Sequence, residues 1–337
     1  ARPLAGAALV LGIAAPWYAA MLWEHGADYA ARARGETLGR VFRTVTGPGG
    51  TLLFYVPVLL IGFFPWSAFL PGALATSIRE ARAGRLAERG AAAAVFAAVW
   101  VLSVLVVFSL FRSRLPHYIA PLFPPAALLV AAAWPSRVPG LARALLGGLG
   151  LVIGGALLVL SSMDATITRL LAAAYPAEPG AALSGGVPVM GALALAMGAA
   201  ALVRDGARLF SLLAVLTALF VVVGLHVVLP AFSADFVAPV GHLVAGVAPA
   251  LGPCDHLAAV GPYRPSLVFY ARRPVTFVDL RHPDRLTALA ARPGRLFLVA
   301  PRAAIARLPG PLAALPEVGA RGGYVVLASP PMDGACR

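Results

Sequence analysis

The sequence predicts an all-α membrane bundle of about seven transmembrane helices over residues 1–230, followed by a small extracytoplasmic α/β domain over residues 231–337. Three observations predict it. Apolar residues make up 60% of the chain and charged residues only 12%, with a mean hydropathy of +0.85, whereas an ordinary soluble domain is about 25% charged. Seven apolar stretches approach the ~20 residues that a helix needs to cross ~30 Å of hydrocarbon. After residue 254 the pattern changes to short β-like runs alternating with helix-like segments, as in an α/β layer.

The apolar stretches lie at 4–23, 51–74, 91–110, 117–134, 144–161, 187–203 and 209–229. The first is too long for the core of a signal peptide and ends in the interfacial aromatics Trp17, Tyr18 and Trp23, so it reads as a true span. The chain enters that span almost at once from Ala1, which leads us to expect that a longer protein carries an earlier N-terminal part. The Ala and Gly runs inside the spans, such as 91–94 and Gly147-Gly148, suit close packing of helices.

Charge orients the bundle. The formal charge of +13 comes from Arg alone, because the chain has no Lys, and in a membrane protein basic residues first report the cytoplasmic side. This reading leaves no role for nucleic acid. Alternating the connectors puts Arg79, Arg82, Arg85 and Arg89 on one side with Arg137, Arg143, Arg204 and Arg208, and that side is cytoplasmic. The connectors 24–50, 111–116 and 162–186 and everything after 230 then face the periplasm. Two of these outer connectors carry Arg against the bias: Arg32, Arg34, Arg40 and Arg43 in the first, Arg112 and Arg114 in the second.

In the α/β region, strands are predicted at 256–260, 275–278, 296–299 and 324–328, and helices at 266–272, 283–291 and 302–308. This order predicts a small, mostly parallel sheet, with Ser266 and the His282-Pro283-Asp284 stretch as helix starts. Cys254 and Cys336 both fall in this region; outside the cytoplasm they could pair, or remain two separate thiols.

Two constellations carry chemistry. In the first outer connector, Glu36 and Arg40 stand four residues apart, which on one helix lets a carboxylate hold a guanidinium as a phosphate clamp. An ordinary interfacial helix explains the same spacing. In the second, Arg112, Arg114, His117 and Tyr118 crowd a turn between two spans, followed by Pro121, Pro124 and Pro125, which gathers donors at the level of lipid headgroups. Snorkelling arginines beside a belt tyrosine account for it equally. His226, inside a span, is a further ionisable residue. Glu24, His25, Asp28 and Glu36 have no tight metal-ligand spacing.

These stretches resemble a known family. Residues 113–124, Ser-Arg-Leu-Pro-His-Tyr-Ile-Ala-Pro-Leu-Phe-Pro, resemble the S-[KR]-L-P-x-Y-x-x-P stretch of bacterial aminoarabinose transferases and their relatives in the protein O-mannosyltransferase superfamily. Residues 36–42 resemble the family's E-x-x-x-R-[FV] segment, and residues 62–67, Gly-Phe-Phe-Pro-Trp-Ser, its G-[FL]-x-P-W-[ST] stretch; 263–270 resemble part of the extracytoplasmic domain of many members.

The resemblance implies a GT-C glycosyltransferase of the bacterial inner membrane, multi-pass, with a periplasmic C-terminal domain. Its partners are membrane lipids, a polyprenyl-phosphate-linked sugar donor, and lipid A or a protein as acceptor. It implies that Arg40, Arg114, Tyr118 and His117 hold the donor phosphate, with Glu36 and Arg43 in support. It brings no firm cofactor, a divalent metal being the one candidate. The family's catalytic acidic residue lies in a loop after the first span that nothing here matches, so the chain as given is expected not to catalyse transfer alone. The rival expectation is a non-catalytic transporter or envelope scaffold; a transporter should carry paired charges or broken helices at mid-membrane in related halves.

Overall fold

The computed structural model describes residues 3–42, 51–163, 185–261, 263–282 and 284–331. Four helices are long and apolar enough to cross a membrane: Leu4–Glu36, Arg89–Leu110, Gly140–Ser162 and Gly206–Phe232. The stretch expected as one straight span at 51–74 is instead a pair of helical runs, Leu52–Gly62 and Trp66–Arg82, bent by 115°. Pro65, which lacks a backbone donor, stands at the break. The stretches at 117–134 and 187–203 are shorter apolar runs, Pro116–Ala132 and Val187–Leu202. The expectation of about seven spans thus resolves, among the described residues, into four full-length helices, one bent pair and two short runs.

The chain divides into two units, 1–149 with 197–213, and 150–196 with 214–337. In the first, α1 (Pro3–Glu36) is broken at Gly26, whose φ of 56° is left-handed. After it come α2 (Leu38–Phe42), α3 (Tyr55–Gly62), α4 (Leu70–Arg82), α5 (Arg89–Leu110), α6 (Phe123–Ala132) and the start of α7 (Gly140–Ser162). The sequences of α3, α5, α6 and α7 are apolar on every face, as lipid-bathed helices are. Leu102, Val106, Val107 and Leu110 of α5 stay exposed while Ala97, Ala98 and Val101 are buried.

A clasp closes the Arg-rich end of this unit. Arg137 and Asp205 form an antiparallel bridge, the Val138 N–H donates to the Arg204 carbonyl at 3.1 Å, and the Gly206 N–H donates to the Ser136 carbonyl at 2.9 Å. The Trp134 indole donates to the Gly206 carbonyl at 3.0 Å. A Cβ at residue 206 would collide with the Pro135 carbonyl oxygen, so the close approach needs glycine. Trp66, Phe69 and Phe210 pack on Trp134 with ring centroids 4.4–5.9 Å apart.

The second unit holds the rest of α7, most of α8 (Val187–Ala199) and the later part of α9 (Gly206–Val223). Gly154 and Gly191 let α7 and α8 touch backbone to backbone: a Cβ on Gly154 would lie 2.8 Å from the Gly191 carbonyl oxygen. From α9 the chain stays helical through a π-turn at Gly224–Val228, α10 (Leu229–Phe232), a second π-turn at Ser233–Val237 and α11 (Ala238–Val247). Residue 230 therefore lies inside a helical run. The π-turns flank Pro230, which lacks the N–H of a normal helical rung. His226 sits exposed in the first of them.

The sheet follows: β1 (His256–Val260), α12 (Pro265–Ala271), β2 (Thr276–Val278), α13 (Asp284–Ala290), β3 (Leu296–Pro301), α14 (Gly310–Ala313), β4 (Glu317–Arg321) and β5 (Tyr324–Ala328). Its order is β2-β1-β3-β5-β4, with β1 parallel to both β2 and β3, and β5 antiparallel to both β3 and β4. The expected strands are all present, but the sheet is mixed rather than mostly parallel, because β5 runs antiparallel to β3 and pairs with the unforeseen β4 in a hairpin turned by Gly322 and Gly323, both at positive φ. Alternation along the strands makes two cores. Leu257, Phe297, Val299 and Val326 face α11 and α12, while Ala258, Leu298, Val325 and Leu327 pack with Leu286, Leu289 and Leu312. Ser266 is not a helix cap: Arg264 occupies that position in extended conformation, and Pro265 opens the helix.

The loop that enters β1 is pinned from several sides. Asp255, 8% exposed, accepts from the Gly252 N–H at 2.8 Å and the Arg295 N–H at 2.9 Å, and pairs with the Arg295 guanidinium at 3.0 Å. Burial pushes its carboxyl up, but those N–H groups and the guanidinium outweigh burial and hold the pKa below the ordinary carboxylate value. Cys254 next to it is disulfide-bonded; Cys336 lies outside the described residues.

Candidate functional site

The site is assembled at the end of α5. Beyond Leu110 the chain turns extended at Phe111, and the Arg112 N–H donates to the Val41 carbonyl of α2 at 3.2 Å. That bond joins the two outer connectors singled out in the sequence. Arg114, 6% exposed, folds back so that its Nη2 donates to the Ser109 carbonyl at 2.9 Å, placing a cation against the carbonyl end of α5 where the helix dipole favours it. Ser113 is fully buried beside it.

The helix that leads into the third motif reaches the same place. Tyr55, fully buried at the head of α3, donates its hydroxyl to the Leu115 carbonyl at 3.3 Å; that oxygen also accepts the Tyr118 N–H at 3.0 Å. Tyr55 lies within electrostatic reach of both Arg114 and Tyr118. At the other end of α3, the Phe63 ring lies 5.9 Å from that of Phe123, and a Cβ on Gly62 would stand 3.3 Å from the same ring. Ser67 locks the bend by donating its hydroxyl to the Leu60 carbonyl at 2.8 Å.

Pro116 starts a 3-10 turn, Pro116–Leu122, that Ile119 and Leu122 anchor in the core. The turn leaves Tyr118 half-buried against Phe108 at 5.8 Å and His117 exposed, edge-on to Tyr118 at 5.1 Å. A buried guanidinium beneath a tyrosine and a histidine, at the mouth of apolar helices, offers cationic and hydrogen-bonding recognition of an anionic headgroup.

Arg40 belongs to α2, one residue before the Val41 carbonyl that Arg112 engages. Glu36 and Arg40 do not share one uninterrupted helix as expected, because α1 ends at Glu36 and a turn at Thr37 precedes α2. The Thr37 hydroxyl donates to the Ala33 carbonyl at 2.6 Å, which favours a break there. Arg43 lies outside the described residues. Glu24, His25, Asp28 and Glu36 are exposed. No three His, Cys, Asp or Glu side chains come together to hold a metal among the described residues. Tyr55 is the site residue that sequence reasoning missed: at the start of an apolar run it reads as one more interfacial aromatic.

The fold is shared with two solved structures of ArnT from Cupriavidus metallidurans. The one bound to undecaprenyl phosphate matches with a TM-score of 0.66 and 22% identity over 96% of this chain and 60% of that one; the apo state matches with a TM-score of 0.59 and 23% identity. Apolar helices with an appended sheet are thus the fold that this chain shares with them. In sequence, the chain is 39% identical over 127 residues to the undecaprenyl phosphate-alpha-4-amino-4-deoxy-L-arabinose arabinosyl transferase of Pseudomonas aeruginosa strain UCBPP-PA14, covering 37% of this chain and 21% of that one. It is 45% identical over 78 residues to the enzyme numbered 2 of Sodalis glossinidius, covering 23% of this chain and 13% of that one. Over these stretches the chain is similar to aminoarabinose transferases. No protein-family model matches it. The matches span about a fifth of the first curated relative and 60% of the solved chain.

Proposed function

We propose that the protein serves the transfer of a sugar, aminoarabinose by the names of its relatives, from undecaprenyl phosphate to a lipid A-like acceptor at the periplasmic face of the inner membrane. The observation that carries this reading is that the three motifs meet: residues 36–42 through the Val41–Arg112 hydrogen bond at the entry to 113–124, and residues 62–67 through Gly62 and Phe63 packed on Phe123, while Tyr55 of the same helix holds the Leu115 carbonyl. Residues 231–337 are then a periplasmic domain above the outer membrane surface.

In the transfer, the bond from the sugar's anomeric carbon to the phosphate oxygen breaks and a bond to the acceptor oxygen forms. The electron pair leaves with polyprenyl phosphate, so negative charge grows on the phosphate in the transition state. Arg40 and the buried Arg114 supply fixed positive charge for it, Tyr118 and His117 donate hydrogen bonds, and Glu36 and Arg43 support Arg40. A preorganised charge of this kind is worth most where water is excluded. The group that takes the acceptor's proton is not assigned.

In membranes holding the full gene product, Arg40→Ala should lower transfer from undecaprenyl-phosphate aminoarabinose by about 10²-fold or more at normal protein level. Unchanged activity would refute the assignment. Transfer to a protein rather than to lipid A would replace the acceptor and keep the donor site.

A further inference from the structure

We infer a second lipid site, for an anionic phospholipid of the cytoplasmic leaflet, at the opposite end of the bundle. A cavity of about 260 Å³ opens between α4, the end of α6 and the start of α7. Its walls are apolar, with Phe69, Val130 and Leu141 among them, and Gly72 leaves space in one side, for a Cβ there would meet nothing within 4 Å. Thr76 and Arg79 line it as well. Arg79 is exposed and its Nη2 donates to the Thr76 hydroxyl at 3.0 Å, which engages one of five guanidinium donors. The planar fork keeps donors for a bidentate phosphate contact.

Charge complementarity selects the occupant. Arg82 follows Arg79 by one turn at the end of α4, and Arg137 stands exposed between Pro135 and Pro139, which both line the cavity. Helix α5, 22 residues or about 33 Å long, runs between this end and the Arg114 loop. The cavity is therefore distinct from the donor site and does not depend on the function proposed for it. An apolar slot with arginine at its mouth, at the depth where spans end, matches an acyl chain topped by a phosphate. The basic rim matches the anionic cytoplasmic leaflet.

The test uses the full-length protein purified in detergent and exposed to equimolar phosphatidylglycerol and phosphatidylcholine, with retained lipid counted by native mass spectrometry. Wild type should retain phosphatidylglycerol in preference, and Arg79→Gln should cut that preference about fivefold, the equivalent of one interfacial arginine. Gly72→Leu, which fills the open space without a clash and replaces a helix-disfavouring glycine, should remove retained lipid of both kinds while the protein stays folded. Equal retention of the two lipids by wild type would overturn the site, as would wild-type retention in both variants.

Discussion

Tyr55 shows how much a single hydroxyl can organise. Its buried O–H meets the Leu115 carbonyl between Arg114 and Pro116, so it sets the height of the loop on which Tyr118 and His117 are displayed. Tyr55→Phe removes that one bond while Leu115 keeps the Tyr118 N–H, a loss of about 1 kcal/mol. The variant should fold and reach the membrane normally, with kcat/KM of the proposed transfer, for the polyprenyl donor, down about fivefold. A kcat/KM equal to that of wild type would remove Tyr55 from the site. Arg114, Tyr118 and His117 were legible in the sequence because their spacing crowds a turn too short to scatter them. Tyr55 was not, since its partner lies sixty residues on and only the fold brings them together.

Among the elements, those dictated by local pattern came through. Strands β1 and β5 fall where short apolar runs placed them, and α5 where a long unbroken one did. Non-local causes account for the departures. The Pro65 bend divides a run of apolar residues that looks continuous in composition. Strand β4 exposes Glu317, Val318, Ala320 and Arg321 and carries Gly319, whose Cβ would stand 3.2 Å from the Leu243 side chain; nothing in such a sequence reads as a strand.

The loop before β1 makes its own prediction. Asp255 has a folded-state pKa below that of an unfolded carboxylate, so the folded protein binds fewer protons, and its contribution is present above the unfolded value near 4 and is lost as pH falls through the folded one. Thermal unfolding of the detergent-solubilised protein should show a midpoint that drops as pH goes from about 5 to 3, and Asp255→Asn should flatten that drop and lower the midpoint at pH 7. An equally steep drop in the variant would place the effect on other carboxylates.

At the scale of the whole molecule, two ends with different chemistry define an orientation. One carries Arg79, Arg82, Arg137, Arg143 and Arg204, the other the arginines of the Val41–Arg112 junction and Arg114. A phosphatase reporter fused after Pro331 should be active, and a cytoplasm-dependent reporter at the same point inactive; the reverse would invert the topology and move the proposed donor site to the wrong face. Bundle and sheet were legible at this scale because hydropathy alone separates lipid-bathed from water-bathed segments. The mutual contact of the three motifs was not, because it joins residues far apart in the chain, through the Val41 and Arg112 backbone groups and the Phe63 and Phe123 rings.

The helical run through Gly224 to Val247 gives the sheet a fixed phase. Because α11 packs directly on β4 and β5 after two π-turns and no slack connector, the angular position of the sheet about that helix is counted in residues. Each residue added or removed advances the helix by about 100° and 1.5 Å. A π-turn is one residue more than an α-turn requires, so this stretch holds two such increments in reserve. A residue gained or lost between 224 and 237 would turn α11, and the sheet packed on it, by about 100° against the later part of α9, so a short insertion there rotates the sheet as one piece.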